Sequence, residues 1–567
     1  MIFGRRRKQK KQEISFDEIL LESSNLPAFN TMRMEGRIEK PIGRRNIYAV
    51  AVVFVFIALV FMGRIGMLQI VQGAEYRAQS EENSLENTLI VAERGVIYDR
   101  NGEMLAWNEL DQSGEYGFPV RAYTDRRGLG QFLGYVSYPQ KDTSGVYYRT
   151  EYLGRSGVEE SFHERLQGQN GRQLVEVTAL GEVISEGTVD DPVAGKELTT
   201  TLDVGLTEFM YDIIATTTSR LGFRSGAVAM MDVETGEIIA MTSFPSYDPE
   251  VLADGDDVAL IETYNNDSRF PFLNKVSGGV YIPGSIVKPF IAYAALAENI
   301  ISPEKIIVST GSITIPNPYN PDNPSIFRDW RAHGAVTMRD AIAYSSDVYF
   351  YTIGGGFGDQ KGLGIRKIDE YMQLFGVGEK TGIDLPGEVA GNVPTPEWKE
   401  EVFDDDWRLG DTYFTAIGQY GFLVTPLEML RAYAALANGG KLLTPQIVLD
   451  REPESIDLNL NQVHLKVVQE GMRRTVIQDG GTARALERRD VAIAAKSGTA
   501  ELDTSDTYLN SWIAGYFPYE KPKYAFILLM EYGPYANTTG AGTVMGWVFD
   551  WMAENRPHYL NPDEVEN

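Results

Sequence analysis

The stretch Tyr281-Ile282-Pro283-Gly284-Ser285-Ile286-Val287-Lys288-Pro289 sets a hydroxyl and an amine three residues apart. At that spacing on a helix, Ser285 and Lys288 share one face of the first turn. A serine beside a basic amine is a nucleophile and base pair, and the N–H groups and dipole of a helix start can hold an oxyanion. Pro283 and Gly284 end the chain segment before it. Pro289 has no N–H to give the Ser285 carbonyl, so the helix is expected to start irregularly. Phe290, Ile291, Tyr293, Ala294, Ala295 and Leu296 then read as a largely buried helix. Taken alone the pair is weak evidence, because S-x-x-K recurs about once by chance in a chain of this length. An N-terminal Ser with a solvated Lys is the structural alternative.

Two more polar clusters follow: Ser345-x-Asp347, and Lys496-Ser497-Gly498-Thr499-Ala500. Each falls at the end of an element, where side chains can face a cleft. A helix is expected from Thr337, where Thr337-x-x-Asp340 fits a capping box, running into Tyr344-Ser345-Ser346-Asp347. Val491 to Ala495 reads as a small apolar strand that delivers Lys496 to a glycine turn. Ser511–Phe517 and Tyr524–Glu531 read as further strands, paired antiparallel because their connections are short. Upstream, a helix over Leu206–Leu221 precedes a strand pair, Ala227–Met231 and Glu237–Met241, around Glu234-Thr235-Gly236. A turn-rich insertion spans 302–330, helical segments continue to about Asn438, and Gly546–Met552 reads as a last helix.

Three clusters in this order resemble the penicillin-recognising serine transferases and hydrolases, whose pattern is S-x-x-K, S-x-N or S-x-D, and K-[ST]-G. The flanks resemble the class B penicillin-binding proteins. Tyr281-x-Pro-Gly-Ser285-x-x-Lys288-Pro289, Lys496-Ser-Gly-Thr-Ala500, Arg94-Gly-x-Ile-x-Asp-Arg-Asn-Gly102 and Gly154-x-x-Gly157-x-Glu159 each match a family motif. Gly410-Asp411-Thr412, Ile417-Gly418-Gln419 and Thr425-Pro426-Leu427 are similar to the elongation-type, penicillin-binding protein 2-like branch. The middle motif ends in Asp347 rather than Asn, as it also does in that branch. Few residues separate Asn108 from Val120-Arg121-Ala122-Tyr123, so the pedestal's head subdomain is expected to be missing or minimal.

The resemblance implies an α/β (α+β) transpeptidase fold, an antiparallel sheet flanked by helices plus an all-helical subdomain. It implies five parts: a basic tail (1–45), a transmembrane helix (46–71), a β-rich pedestal (72–202), a transpeptidase domain (203–555) and a polar tail (556–567). The implied activity is D-Ala-D-Ala transpeptidation of peptidoglycan stem peptides through a Ser285 acyl-enzyme, in cell-wall synthesis, with β-lactams as covalent ligands. Lys288 is the implied base, Ser345 the proton relay, and Asp347 a group that positions Ser345 or accepts from Lys288. Lys496 belongs with Ser285 and these three to the implied catalytic set, and Lys496, Ser497 and Thr499 are expected to bind the substrate's terminal carboxylate. The N–H groups of Ser285 and Thr499 are the implied oxyanion hole, and Gly498 is expected to leave room for substrate beside the strand. A RodA/FtsW-type glycosyltransferase is the implied membrane partner. A weakly catalytic regulatory subunit of such an enzyme, or a β-lactam sensor or β-lactamase, are the rival readings.

Composition sets the frame. A chain of 567 residues, 43% hydrophobic and 23% charged, has room for two or three domains and a large core. Its net charge of −27 argues against a nucleic-acid binder. The absence of Cys removes disulfides, thiolate metal sites and Cys nucleophiles. Ile47–Met62 is nearly all apolar, and with Arg64 snorkelling the span can reach Ile70, near the ~20 residues a bilayer needs. Arg44, Arg45 and the basic run Arg5–Lys11 place the N-terminus in the cytoplasm and the chain after about residue 72 outside. Arg94, Asp99 and Arg100 read as a structural ion-pair corner, and His163 as part of a helix surface. Asp329 and His333 beside Trp330 are the one pair suggestive of a metal. With four His and no Cys a structural His333 is the reading, and no cofactor is implied.

Overall fold

The computed structural model describes residues 43–82, 85–112, 114, 116–143, 146–177, 183–316, 322–502 and 507–562. Most of the expected basic tail (1–42) and the end of the polar tail (563–567) lie outside the described residues. The chain forms two compact units, one of residues 1–86 with 176–184, the other of 87–175 with 185–567.

In the first unit, α1 (Arg44–Gly66) runs on through a π-helical turn, Met67–Val71. These 28 residues carry no buried position. At 1.5 Å per residue they exceed the ~30 Å apolar thickness of a bilayer, and an apolar helix with no buried position among its described residues suits lipid as solvent.

The second unit begins with a four-stranded sheet of β1 (Ile97–Tyr98), β2 (Met104–Glu109), β3 (Val120–Tyr123) and β4 (Leu198–Thr199), in the order β4-β1-β2-β3. The Asn101-Gly102 hairpin turn is present, with Gly102 at φ 83°. The Asp99 carboxylate holds it by accepting from the N–H groups of Asn101 (2.7 Å) and Glu103 (2.8 Å). β2 returns directly as β3, Glu109 pairing with Val120, so residues 110–119 are all that stands where a head subdomain was expected to be missing or minimal. Beneath this sheet Glu159 accepts from Arg94 Nε (2.5 Å) and Arg121 Nε (2.7 Å), with all three side chains fully buried. Burial alone would raise the Glu159 carboxyl, but the two guanidinium groups bring it below the ordinary range. The ion-pair corner therefore exists at Arg94, with Glu159 as its centre. His163 is half-buried against it, Nδ1 3.4 Å from Arg94 Nη1, rather than lying on a helix surface. The helix expected up to Leu166 is two short ones, Gly157–Ser161 and His163–Leu166.

From α2 (Val204–Leu221) the chain builds a five-stranded antiparallel sheet. Its strands are β5 (Ser225–Asp232), β6 (Ile238–Phe244), β7 (Ala494–Glu501), β8 (Tyr508–Phe517) and β9 (Tyr524–Pro534), in the order β6-β5-β9-β8-β7. Every residue of β5 is buried, and alternation sorts its side chains between two cores. Val228 and Met230 join α2 and a C-terminal helix (Ala541–Asn555) through Leu206, Met210, Ile214, Met545 and Phe549. Ala227, Ala229 and Met231 face the other core with Ile286, Phe290, Leu427 and Leu430. That second core holds α3 (Lys288–Ala297), α4 (Met338–Tyr344), α5 (Asp347–Gly355), α6 (Pro426–Ala437) and α7 (Gln462–Ile477). The turn-rich insertion contains a β-ribbon, Ser312–Ile315 with Ser325–Arg328, and its Ile307–Ser309 pairs with Gly334–Val336 just beyond it.

Candidate active site

Ser285 lies in a 3-10 turn, Gly284–Val287, that precedes α3. The proline at 289 explains it. With no Pro289 N–H available, the Lys288 N–H closes back on the Ser285 carbonyl one residue early. Lys288 to Leu296 are all buried, while Ser285 keeps partial exposure at the turn.

Several contacts from distant elements pin this turn. Tyr281 exchanges backbone hydrogen bonds with Val424, and the Gly284 N–H donates to the Gly418 carbonyl at 2.9 Å. Trp512 Nε1 on β8 donates to the Ile282 carbonyl (3.0 Å), and the Tyr433 hydroxyl on α6 to the Ile286 carbonyl (2.7 Å). Glycines allow the approach. Gly284 has φ 57°, and a Cβ there would sit 2.5 Å from the Thr499 carbonyl oxygen. A Cβ on Gly498 would lie 2.9 Å from both Ile286 Cγ2 and the Pro283 carbonyl. Gly498 thus lets β7 touch the Ser285 turn.

Lys288 Nζ is fully buried and donates to the Ser345 carbonyl (2.8 Å), the Ser345 Oγ (3.2 Å) and Asp347 Oδ1 (2.5 Å). Three acceptors use all three N–H bonds of an ammonium. Ser345 can present both oxygens because it ends α4 in the left-handed region (φ 58°, ψ 39°), a conformation costing a non-glycine residue about 1–3 kcal/mol. The next residue, Ser346, is the N-cap of α5, which starts at Asp347.

The residue holding this turn is Asp329. Its Oδ2 accepts from Ser346 Oγ (2.9 Å), the Val348 N–H (3.0 Å) and Ser309 Oγ (3.2 Å). Its Oδ1 accepts from the Trp330 N–H (2.9 Å) and faces His333 Nε2 at 3.3 Å. Burial would raise this carboxyl, but the bonds from His333, Val348 and Ser346 and the Lys288 charge hold it at about 2. His333 stacks on Tyr344 (ring centroids 6.0 Å apart), so the pair once suggestive of a metal orders the chain on either side of Ser345 and Asp347.

On β7, Lys496 is fully buried while Ser497 and Thr499 keep exposure, as alternation along a strand requires. Lys496 Nζ donates to the Ser497 carbonyl at 2.8 Å. Burial pushes the Lys496 amine well below its ordinary range, the Lys288 charge adding and Asp347 opposing. Burial also raises the Asp347 carboxyl, partly offset by Lys288. Ser497 Oγ donates to Thr482 Oγ1 (2.6 Å), whose own N–H donates to the Ala343 carbonyl (3.2 Å). Thr482 thus ties β7 to the end of α4. It sits in a Gly480-Gly481 loop that carries no motif of its own, and reading the sequence missed it.

The structure therefore brings Lys288, Ser345 and Asp347 together by direct contact, one turn from Ser285, with β7 packed against the same turn. Residues 226–549 match the penicillin binding protein transpeptidase domain, and residues 118–200 the penicillin-binding protein dimerisation domain. The chain belongs to the penicillin-binding protein transpeptidase family. Relatives within the family include the peptidoglycan D,D-transpeptidase MrdA of Haemophilus influenzae, 28% identical over 89% of this chain and 91% of that one. MrdA of Escherichia coli is 29% identical over 84% and 88%. Among solved structures, a complex of penicillin-binding protein PBP2 with MreC from Helicobacter pylori superposes with a TM-score of 0.68 at 27% identity, covering 83% of this chain and 99% of that one. Pseudomonas aeruginosa PBP2 in complex with WCK 5153 gives 0.68 at 28%, covering 83% and 98%. The penicillin-binding fold expected from the motifs, with its mixed sheet and helices and an apolar N-terminal helix, is the fold observed.

Proposed function

We propose that this chain is a membrane-anchored, penicillin-sensitive peptidoglycan D,D-transpeptidase that crosslinks stem peptides through a Ser285 acyl-enzyme. The observation that carries the chemistry is the buried Lys288, in contact with Ser345 and Asp347 one turn from Ser285. To serve as base, Lys288 must first pass a proton to one of its acceptors. Asp347, whose carboxyl burial already raises, is the acceptor suited to it. Ser285 Oγ then bonds to the penultimate D-Ala carbonyl carbon while Lys288 takes its proton. The peptide C–N bond breaks, and the terminal D-Ala leaves as an amine protonated through Ser345. The N–H groups of Ser285 and Thr499 face the developing oxyanion, and Lys496, Ser497 and Thr499 hold the terminal carboxylate. An amine from a second stem peptide attacks the ester, releases Ser285 and completes the crosslink.

The finer parts of the reading are these. The enzyme acts in cell elongation, beside a RodA/FtsW-type glycosyltransferase and an MreC-like scaffold. A PBP2 structure with MreC and a peptidoglycan synthase complex among the similar structures support this. The N-terminus is cytoplasmic and the catalytic unit external, which Arg44 and Arg45 at the start of α1 support. With no native Cys, single cysteines introduced at Lys10 and Glu452 report orientation by labelling intact cells with an impermeant maleimide. Only the second is expected to react.

The enzymatic reading is tested with a fluorescent penicillin on the full-length protein in detergent, beside Ser285→Ala. A stable label lost in that variant is expected, and no Ser285-dependent label would refute the acyl-enzyme. Label that forms and is quickly released would favour a β-lactamase.

A further inference from the structure

The side of the cleft formed by Tyr344 and the Gly480–Thr482 loop carries a cation that no step above uses. Arg331 is exposed, and its guanidinium lies over the Trp330 ring at 4.5 Å and 5.9 Å from the Tyr344 ring centre. Tyr344 immediately precedes Ser345. On the other flank a Cβ at Gly480 would be 3.2 Å from Arg331 Nη2, and two residues on Thr482 bonds Ser497. Arg331 thus borders the space between Ser345 and β7, where the proposed donor peptide sits.

The placement is held in series. Arg331 Nε donates to His333 Nδ1 (3.4 Å), which leaves the His333 proton on Nε2, facing Asp329 Oδ1. Asp329 in turn holds Ser346 and the Val348 N–H. The same carboxylate that orders the turn around Asp347 therefore also orients Arg331. The chain has 79 acidic and 52 basic residues, and exposed arginines elsewhere, such as Arg366, Arg408 and Arg451, are paired with carboxylates. Among the described residues His333 is the one hydrogen-bond partner of Arg331, and its Nη groups are aimed at no carboxylate. A guanidinium fixed by two aromatic faces, with its terminal N–H groups unused, is built to receive a planar anion by paired hydrogen bonds.

We propose that Arg331 binds a second carboxylate of the donor stem peptide, one borne by a residue preceding the penultimate D-Ala, and so selects acidic over amidated stems. This rests on the transpeptidase reading. The terminal carboxylate is taken at Ser497 and Thr499, so a residue one or two positions back must lie toward the Ser345 side. Trp330, 55% exposed, offers its ring to the aliphatic part of that residue.

The test compares full-length wild type, Arg331→Gln and Arg331→Lys in detergent. The probes are two synthetic D-Ala-D-lactate depsipeptide donors that differ only in a carboxylate or a carboxamide at that residue, together with a fluorescent penicillin. Wild type is expected to prefer the carboxylate donor, and Arg331→Gln to lose about 10- to 100-fold in kcat/KM on it while leaving the carboxamide donor and penicillin within twofold. Arg331→Lys should recover part of the preference, as a point charge without the fork. No preference in wild type, or a preference that survives in Arg331→Gln, overturns the proposal. Equal losses on both donors and on penicillin would assign Arg331 a merely structural role and also overturn it. A wild type that penicillin never labels would instead refute the enzymatic reading on which this one rests.

Discussion

Lys288 Nζ lies 2.5 Å from Asp347 Oδ1, and the lysine side chain is wholly excluded from solvent. Where related motifs end in a neutral Asn, this chain puts a carboxylate in contact with the Lys288 amine. The pair gives the site an internal place to put a proton, and it ties stability to catalysis. Removing one member strands the other's charge, which in buried pairs costs about 3–5 kcal/mol. Lys288→Ala should therefore lose about 10²–10⁴-fold in penicillin acylation and also melt lower. Asp347→Asn, which keeps the shape, should lose acylation with a smaller loss of stability. Normal labelling of Lys288→Ala would remove that residue as the base.

Lys496 leads to a second expectation. Burial, reinforced by the Lys288 charge, disfavours its charged form. A bound carboxylate favours that form, so ligand binding should draw a proton onto Lys496. The sign is uptake, not release. Titration calorimetry of Ser285→Ala with benzylpenicillin, in buffers of different ionisation enthalpy near neutral pH, should give a positive proton number that disappears in Lys496→Ala. A value of zero in the parent variant would mean Lys496 is already charged in the empty site.

The close contact of β7 with the nucleophile turn yields a packing prediction. Gly284→Ala adds a methyl 2.5 Å from the Thr499 carbonyl oxygen at φ 57°, where an L residue is strained whatever the space. Overpacking of this kind costs about 1–3 kcal/mol. Because the two elements forced apart carry the two proposed oxyanion donors, acylation should fall by a larger factor than stability explains, at least tenfold. Stopped-flow acylation beside a thermal melt separates the two. A variant with wild-type acylation would show that the turn relaxes freely.

These residues also show how far the sequence was legible. The three motifs, their order and the elements carrying them could be read because each is local: a helix start, a helix end and a strand. The irregular opening of α3 followed from one missing N–H. The function of Asp329 was not readable, since its partners at 309, 346 and 348 are gathered by tertiary folding and its local context, Arg328-Asp329-Trp330, has no signature. Thr482 escaped for the same reason, and Gly418 was seen as part of a motif but not as the acceptor of the Gly284 N–H. The contact that Gly498 permits was not readable, since a strand pattern cannot say which neighbour a missing Cβ makes room for. Glu159 was seen as part of a motif, but not as the single anion serving two arginines that lie far from it in sequence.

That triad gives the next prediction. Glu159→Gln keeps the volume but leaves Arg94 and Arg121 buried without an anion. A loss of about 3–5 kcal/mol is expected, on the scale of breaking a buried ion pair from one side. Urea unfolding should show the shift of midpoint with little change in slope. A replacement that is neutral would mean the guanidinium groups are compensated by other means.

Asp329 provides the sharpest test of a carboxylate's role. A carboxyl held at about 2 instead of its ordinary 3.8 contributes about 2 kcal/mol of stability at neutral pH. Because the folded value is the lower one, that contribution is complete above the unfolded value. It is lost as pH falls toward 2, with about half remaining at pH 3. Asp329→Asn should therefore be destabilised relative to wild type at pH 7, and the gap between the two urea midpoints should narrow by about half at pH 3. Asp329 makes no hydrogen bond to Asp347 and positions it through Ser346 and Val348, while its charge also raises the Asp347 carboxyl. In Asp329→Asn the penicillin acylation rate should fall, and because the Asp347 carboxyl loses a neighbouring charge that raises it, its limb of the pH profile should move toward lower pH. A gap between midpoints that does not change with pH would mean the Asp329 hydrogen bonds do not distinguish the charged from the neutral carboxyl. A pH profile of unchanged shape would mean the Asp329 charge does not reach Asp347, leaving positioning as its whole role.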